Sequence, residues 1–291
     1  MKMTRKTWLR QAAVMTLSVC AASAMAQAKE LRVGLIPSED AQAMMRASQQ
    51  VMDQLAARTG LKVRPFVAND YNGVIEALRS GKLDVAYLGP FSYVLASQIA
   101  NAEAFAIPVT KKTGKPTYQS IIITRQDKGL DSVARLQGKT FAFGSISSTS
   151  GSLMPRYFML KDGIKPETYF SRIGFSGAHD ATAAWVQAGK VDGGVLNASV
   201  WDKLVAAGKV DTNKVKVFAT TPAYYDYNWT VRGTLDPALT AKIKQAFLAL
   251  DPANPEHKAI LDLQAASRFI DTKPENYKGI EDAARAADLL K

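Results

Sequence analysis

Residues 139–158, KTFAFGSISSTSGSLMPRYF, decide the fold. A strand-like run ending in Phe141, Ala142 and Phe143 gives way to a glycine-flanked loop, and Pro155 stands where a helix takes its first turn. Strand, loop and helix make one unit of an alternating α/β chain. Between Gly144 and Gly151 stand five hydroxyls, Ser145, Ser147, Ser148, Thr149 and Ser150, and no charge. A helix start carries four N–H groups without intrahelical partners and a partial positive charge. With Ser148, Thr149 and Ser150 at its mouth, such a loop suits a tetrahedral oxyanion held by neutral dipoles. A serine-rich turn that merely caps the helix is the alternative.

The same alternation runs outward in both directions. Leu31 to Ile36 reads as a buried strand, and Ala41 to Arg58 as a helix with Met44, Ala47, Val51 and Leu55 at helical spacing, stopped by Gly60. Residues 61–68, LKVRPFVA, read as a strand whose Pro65 suits an edge or a bulge. Tyr71 to Ser80 is a short helix, and residues 83–89, LDVAYLG, form an apolar strand suited to a parallel sheet. From Thr117 the pattern repeats, with strands at 118–124, 139–144, 191–197 and 215–220 and helices at 152–162 and 179–188. After residues 221–228, TPAYYDYN, the chain is predicted to be mostly helical. In the terminal helix Ile280, Ala284 and Ala287 share a face, expected to pack on its own lobe. Two successive sheets predict two lobes: 27–116 completed by 224–291, with 119–223 inserted. Two crossing strands would form a hinge, with a ligand cleft between the lobes.

Composition narrows the class. The first 26 of the 291 residues carry four cations (Lys2, Arg5, Lys6, Arg10), then an apolar run and a small-residue cleavage site at Ala24-Met25-Ala26. This reads as a signal peptide, too short in its apolar run to span a bilayer, and it places the protein in the periplasm. The single cysteine, Cys20, lies inside that segment, with lipid anchoring there a minor alternative. Removal of the segment leaves no thiol and lowers the net charge from +11 to +7. The basic residues are scattered rather than striped among aromatics, which argues against nucleic-acid binding. A weak positive field favours small anions.

Catalytic motifs fail against the letters. A nucleotide-binding P-loop needs a lysine after its last glycine, and residue 152 is Ser; GxSxG is absent. The chain has two histidines, His179 and His257. One histidine beside Asp180, with no cysteine, makes no metal set. His179 heads a helix in residues 175–185, FSGAHDATAAW, where an imidazole adds one more hydrogen bond. Tyr71 sits at a strand-to-helix turn, and Tyr118 and Asp226 sit at the two lobe crossings. Phenol hydroxyls there serve either as donors or as half-buried packing.

The ordered set NDY (69–71), DVAYLGP (84–90), KPTY (115–118), STSG (148–151) and GAHD (177–180) resembles the periplasmic solute-binding proteins of phosphonate, phosphite and phosphate ABC importers. The resemblance covers essentially all of the chain beyond the signal segment. It implies a type II-like, two-lobed α/β binding fold closing on its ligand like a trap. By the same resemblance Ser148, Thr149, Ser150 and His179 hold phosphoryl oxygens, and Tyr71 and Tyr118 add hydroxyls from the opposing lobe and hinge. Asp226 falls at or within one residue of an acid that helps hold the amine in aminophosphonate binders. A second acid of those relatives is absent; residues 194–201, GVLNASVW, offer Asn197 and Ser199 instead. This departure implies a preference for phosphite or a simple alkylphosphonate over 2-aminoethylphosphonate, with phosphate the hardest alternative to exclude. The implied function is capture of a phosphorus oxyanion for a membrane permease, without catalytic residues, metal or cofactor. The alternative is a periplasmic subunit reporting an oxyanion to a membrane sensor kinase. Oligomeric state is left open.

Overall fold

The computed structural model describes residues 30–291. The segment read as a signal peptide, with Cys20, lies outside the described residues. Contacts divide the chain into Met1–Glu30 and Leu31–Lys291, and the second unit holds two lobes, each built on its own sheet.

The first sheet takes β1 (Glu30–Leu35), β2 (Lys62–Val67), β3 (Val85–Leu88) and β4 (Glu103–Thr110) from the first third of the chain. The chain then crosses through β5 (Thr117–Tyr118) into a second sheet of β6 (Ser120–Arg125), β7 (Thr140–Phe143), β8 (Arg172–Phe175), β9 (Gly193–Asn197) and β10 (Val215–Thr220). It returns through β11 (Tyr224–Tyr225), and β12 (Asn228–Val231) and β13 (Ala266–Ile270) complete the first sheet. Strand orders are β13-β4-β12-β3-β1-β2 and β10-β6-β9-β7-β8. β1 is parallel to β3, and β7 is parallel to both β8 and β9. The crossings pair with each other as a two-residue antiparallel ribbon, Tyr224 opposite Tyr118 and Tyr225 opposite Thr117.

Local chemistry explains most of these elements. The helix Ala41–Thr59 starts where the Asp40 carboxylate accepts from Ala43 N–H at 2.8 Å, and it ends at Gly60 with φ 71°, a conformation glycine adopts without penalty. Asp70 caps the helix Tyr71–Arg79 in the same way. β2, which carries Pro65, is the edge strand of its sheet and alternates exposed with half-buried residues. β9 is buried throughout, as a central strand covered on both faces requires.

Four expectations change. The single strand expected at 118–124 breaks at Gln119 into hinge and sheet segments. The chain after 228 carries the expected helices, Pro237–Leu248, Pro255–Leu263 and Lys278–Ala286, but also two strands that were not expected: β12 inserts between β3 and β4, and β13 pairs with β4. A four-residue run such as NWTV has no signal of its own; partners far away in sequence make it a strand. Within the helix Ala41–Thr59, Val51, Met52 and Leu55 are core, but Met44 is half-buried and Ala47 exposed. The C-terminal helix Lys278–Ala286 packs on the helix Pro90–Ala100 of the first lobe and also against the helix Met154–Lys161 of the second.

Candidate oxyanion site at the lobe interface

The hydroxyl loop leaves β7 at Phe143, and Gly144 N–H returns to the Gly151 carbonyl at 2.7 Å, closing the loop on itself. Ser148 caps the turn after it, its Oγ accepting from Gly151 N–H at 3.0 Å. The helix then opens with a π turn, Thr149–Leu153, before regular α-helix from Met154, with Pro155 in its first turn. A π turn widens the helix mouth and is commonly found at functional sites. A Cβ on Gly151 would lie 3.0 Å from Ser148 Oγ and 3.2 Å from His179 Cε1, so glycine is what lets the imidazole close on the loop. Gly194 in β9 does the same from behind: a Cβ there would lie 2.8 Å from Thr182 Cγ2, on the helix that begins at His179.

The loop also reaches across to the other lobe. The helix Pro90–Ala100 starts after Gly89, which has no side chain to cap it, and Thr149 Oγ1 accepts from Phe91 N–H at 2.8 Å instead. Ser92 Oγ donates to the Ser147 carbonyl at 2.9 Å, and the Ser147 hydroxyl donates to Asn72 Oδ1 at 2.6 Å. His179 N–H donates to the Ser38 carbonyl at 2.9 Å. Lys203 Nζ stands 3.3 Å from Glu39 Oε1. These bonds join the lobes face to face.

Inside the seam the polar groups are neutral donors. His179 is fully buried; burial, with the Lys203 charge added, lowers its pKa to about 3. Asn197 N–H approaches His179 Nδ1 at 3.4 Å, which leaves the proton on Nε2, 3.3 Å from the Tyr227 hydroxyl. Burial pushes the hydroxyls of Tyr71, Tyr118 and Tyr227 well above their ordinary range, so all three keep their protons. The Tyr71 hydroxyl lies beside those of Tyr227 and Ser148, which offset part of that effect. Tyr118 packs edge-on against Tyr224 and Tyr227, with ring centroids 4.8 and 5.6 Å away.

Tyr118 OH and Ser150 Oγ in this seam, and Ser152 Oγ in the π turn, are buried with no hydrogen-bond partner among the described residues. The Ser150 and Thr149 hydroxyls stand beside the Tyr118 hydroxyl and offset part of the effect of its burial. A buried donor left unmade costs about 1–3 kcal/mol. Two adjacent ones, beside two helix starts and a neutral imidazole, form a nest of donors.

Asp226 is a buried carboxyl at this place, whereas Glu39 and Asp202, which line the same cleft, are paired with Lys203 and Lys112. Burial raises its pKa to about 7, and a bond from Tyr227 N–H at 2.7 Å and the Lys203 charge bring it only part of the way back. Among the described residues it forms no ion pair. Asn197 Oδ1 caps the helix Ala198–Ala206 through Ser199 N–H at 2.7 Å. Asp226, Asn197 and Tyr227 line an open cleft of about 700 Å³, whereas Tyr71, Tyr118, Ser148, Thr149, Ser150 and His179 lie deeper in the interior. All eight residues singled out in the sequence thus gather in one region. Tyr227 and Tyr87 were missed, although they stand in TPAYYDYN and DVAYLGP. A tyrosine among other aromatics gives no signal of which ring faces the seam. No group of three or more His, Cys, Asp or Glu able to hold a metal occurs among the described residues.

Known proteins resemble this chain along most of its length. The model of a family described as ABC transporter, phosphonate, periplasmic substrate-binding protein matches residues 33–277. A probable ABC transporter phosphite binding protein of Prochlorococcus marinus (strain MIT 9301) is 30% identical over 286 residues, covering 94% of this chain and 95% of its own. The phosphonates-binding periplasmic protein of Escherichia coli (strain K12) is 30% identical, covering 83% of this chain and 72% of its own. The solved structure of PhnD1 from Prochlorococcus marinus in complex with methylphosphonate superimposes with a TM-score of 0.82 at 30% identity, covering 90% of this chain and 99% of that one.

Proposed function

The chain belongs to the family of phosphonate periplasmic substrate-binding proteins of ABC transporters, and from that premise we propose that it captures a small phosphorus oxyanion, phosphonate or phosphite, in the periplasm and presents it to a membrane permease. The observation that carries the reading is the pair of buried hydroxyls without partners, Tyr118 OH and Ser150 Oγ, in a seam of neutral donors. A tetrahedral oxyanion offers acceptors on every side, and donors fixed in a dry site are worth more to it than water is. On this reading Ser148, Thr149, Ser150 and His179 hold oxygens from the second lobe, and Tyr71 and Tyr118 hold them from the first lobe and the hinge. Asn197 and Asp226 border the substituent on phosphorus. The lobes divide as 27–116 with 224–291, and 119–223. Capture needs no bond making or breaking, and closure across the seam keeps water out.

Titration calorimetry of the ligand-stripped protein with phosphite, methylphosphonate, 2-aminoethylphosphonate and phosphate tests the reading, with two serine variants alongside. Ser150→Ala removes a hydroxyl without a hydrogen-bond partner among the described residues, so affinity falls about 10- to 100-fold with little change in stability. Ser148→Ala also loses a helix cap, so it weakens binding and costs about 1 kcal/mol of stability. Binding by Ser150→Ala as tight as wild type would return the loop to a capping turn.

A further inference from the structure

The cleft beyond the nest is larger than a phosphite or methylphosphonate needs. It holds about 700 Å³ and shares Tyr227 and Asn197 with the seam, so it begins where a substituent on phosphorus would emerge. Half-buried Tyr87 presents its ring to the cleft, backed by Tyr227 at 5.3 Å and by the buried Trp229 at 4.9 Å, centroid to centroid. Met44, Ala47 and Val51, successive positions on one face of the helix Ala41–Thr59, line the same space. The first two of these carry the apolar pattern of a core helix without being core.

Charge at the cleft is already paired. Lys203 pairs with Glu39 at 3.3 Å, Lys112 with Asp202 at 2.7 Å, and Lys111 with Asp262. A second anionic group on the ligand would have to break one of these pairs. An ammonium group would meet one carboxyl without an ion pair among the described residues, Asp226, whose burial raises its pKa to about 7, since Glu39 and Asp202 are already paired. What the walls offer in quantity is apolar and aromatic surface.

We propose that this cleft is a subsite for an uncharged, apolar substituent on phosphorus, a short alkyl chain or an aryl ring packed against Tyr87, Met44 and Ala47. The inference rests on the oxyanion reading of the nest and names its substrate class: alkyl- and arylphosphonates larger than methyl.

The test is a calorimetric series of methyl-, propyl-, phenyl- and 2-aminoethylphosphonate on the purified protein and on Ala47→Trp, which fills the cleft from an exposed helix position. A buried methylene is worth roughly fourfold in affinity, so propylphosphonate binds about tenfold more tightly than methylphosphonate, and phenylphosphonate at least as tightly. Ala47→Trp lowers the phenyl-to-methyl affinity ratio about fivefold or more. Methylphosphonate bound with a flat or falling series overturns the subsite, as does 2-aminoethylphosphonate bound more tightly than propylphosphonate. Failure of all four ligands and of phosphite overturns the oxyanion reading beneath it.

Discussion

Two aspartates in this protein are almost equally buried and are treated in opposite ways. Asp84, at the start of β3, is 3% exposed and receives three bonds from Arg32, through the backbone N–H at 3.0 Å, Nε at 2.9 Å and Nη2 at 2.8 Å. A fourth comes from Arg232 Nε at 3.0 Å. Burial alone would raise its pKa, but the bonds from Arg32 and then Arg232 outweigh it and hold the carboxyl below the ordinary range. Asp226 is 8% exposed and has Tyr227 N–H but no ion pair among the described residues, and its pKa rises to about 7. The first is satisfied within one lobe and ties β1, β3 and the end of β12 together. The second sits where two lobes meet, among hydroxyls that also lack partners. Polar groups completed inside a lobe serve the fold; groups left for the seam are available to a ligand.

The largest expected effect breaks the first half of this contrast. Asp84→Ala leaves two arginines facing each other across the sheet end, and denaturant unfolding reports a loss of about 2–4 kcal/mol. Ligand affinity measured on the folded fraction stays within twofold. A matching loss of affinity would mean that the sheet end is coupled to the site.

The next effect concerns pH. With its pKa raised from 3.8 to about 7, the Asp226 carboxyl keeps a proton that the unfolded chain gives up, so its contribution to stability drains away as pH rises through that window. His179 has the reverse sign: lowered from 6.5 to about 3, it stays neutral where the unfolded chain would be charged, so its contribution is lost as pH falls. Between about pH 4 and 6.5 the two slopes oppose each other at roughly 1.4 kcal/mol per pH unit each. Unfolding curves of Asp226→Asn, compared with wild type, rise with pH across this range, and those of His179→Gln fall. Differences flat with pH in both variants would show that neither group feels its burial.

The smallest effect tests the seam itself. Ser92 is fully buried and donates across the lobes to Ser147. Ser92→Ala removes about 1 kcal/mol from the closed form only, which weakens phosphorus-oxyanion binding about fivefold. Small-angle scattering of the ligand-free protein then shows a more open average shape. A variant that loses global stability instead would place Ser92 among the groups that serve one lobe.

The sequence was informative where a feature is local. Asp40, Asp70 and Gly60 mark helix ends by side-chain and backbone chemistry that needs no distant partner, and Pro65 marks an edge strand. It was silent where burial comes from afar, as for NWTV, which becomes a strand only between β3 and β4. The alcohols at 148–150 were legible as a group but not individually. Ser148 caps a turn, Thr149 caps a helix of the opposite lobe, and Ser150 is left free. Met44 and Ala47 show the same limit from the apolar side: helical spacing identifies a face, but whether that face meets core or cleft depends on what lies opposite.

By itself the sequence determined the alternating α/β order, the loop of neutral hydroxyls and the family set of motifs. These rest on periodicity, on turn chemistry and on neighbours a few residues apart. Tertiary structure alone decided which donors remain unspent, which acid lacks a cation, and that the Tyr87 ring faces a cleft beside the nest. Each of those is a balance between groups distant in the chain, from 23 residues apart for Asp226 and Lys203 to 58 for Thr149 and Phe91 and 140 for Tyr87 and Tyr227, and packing of the two lobes is what brings them within reach.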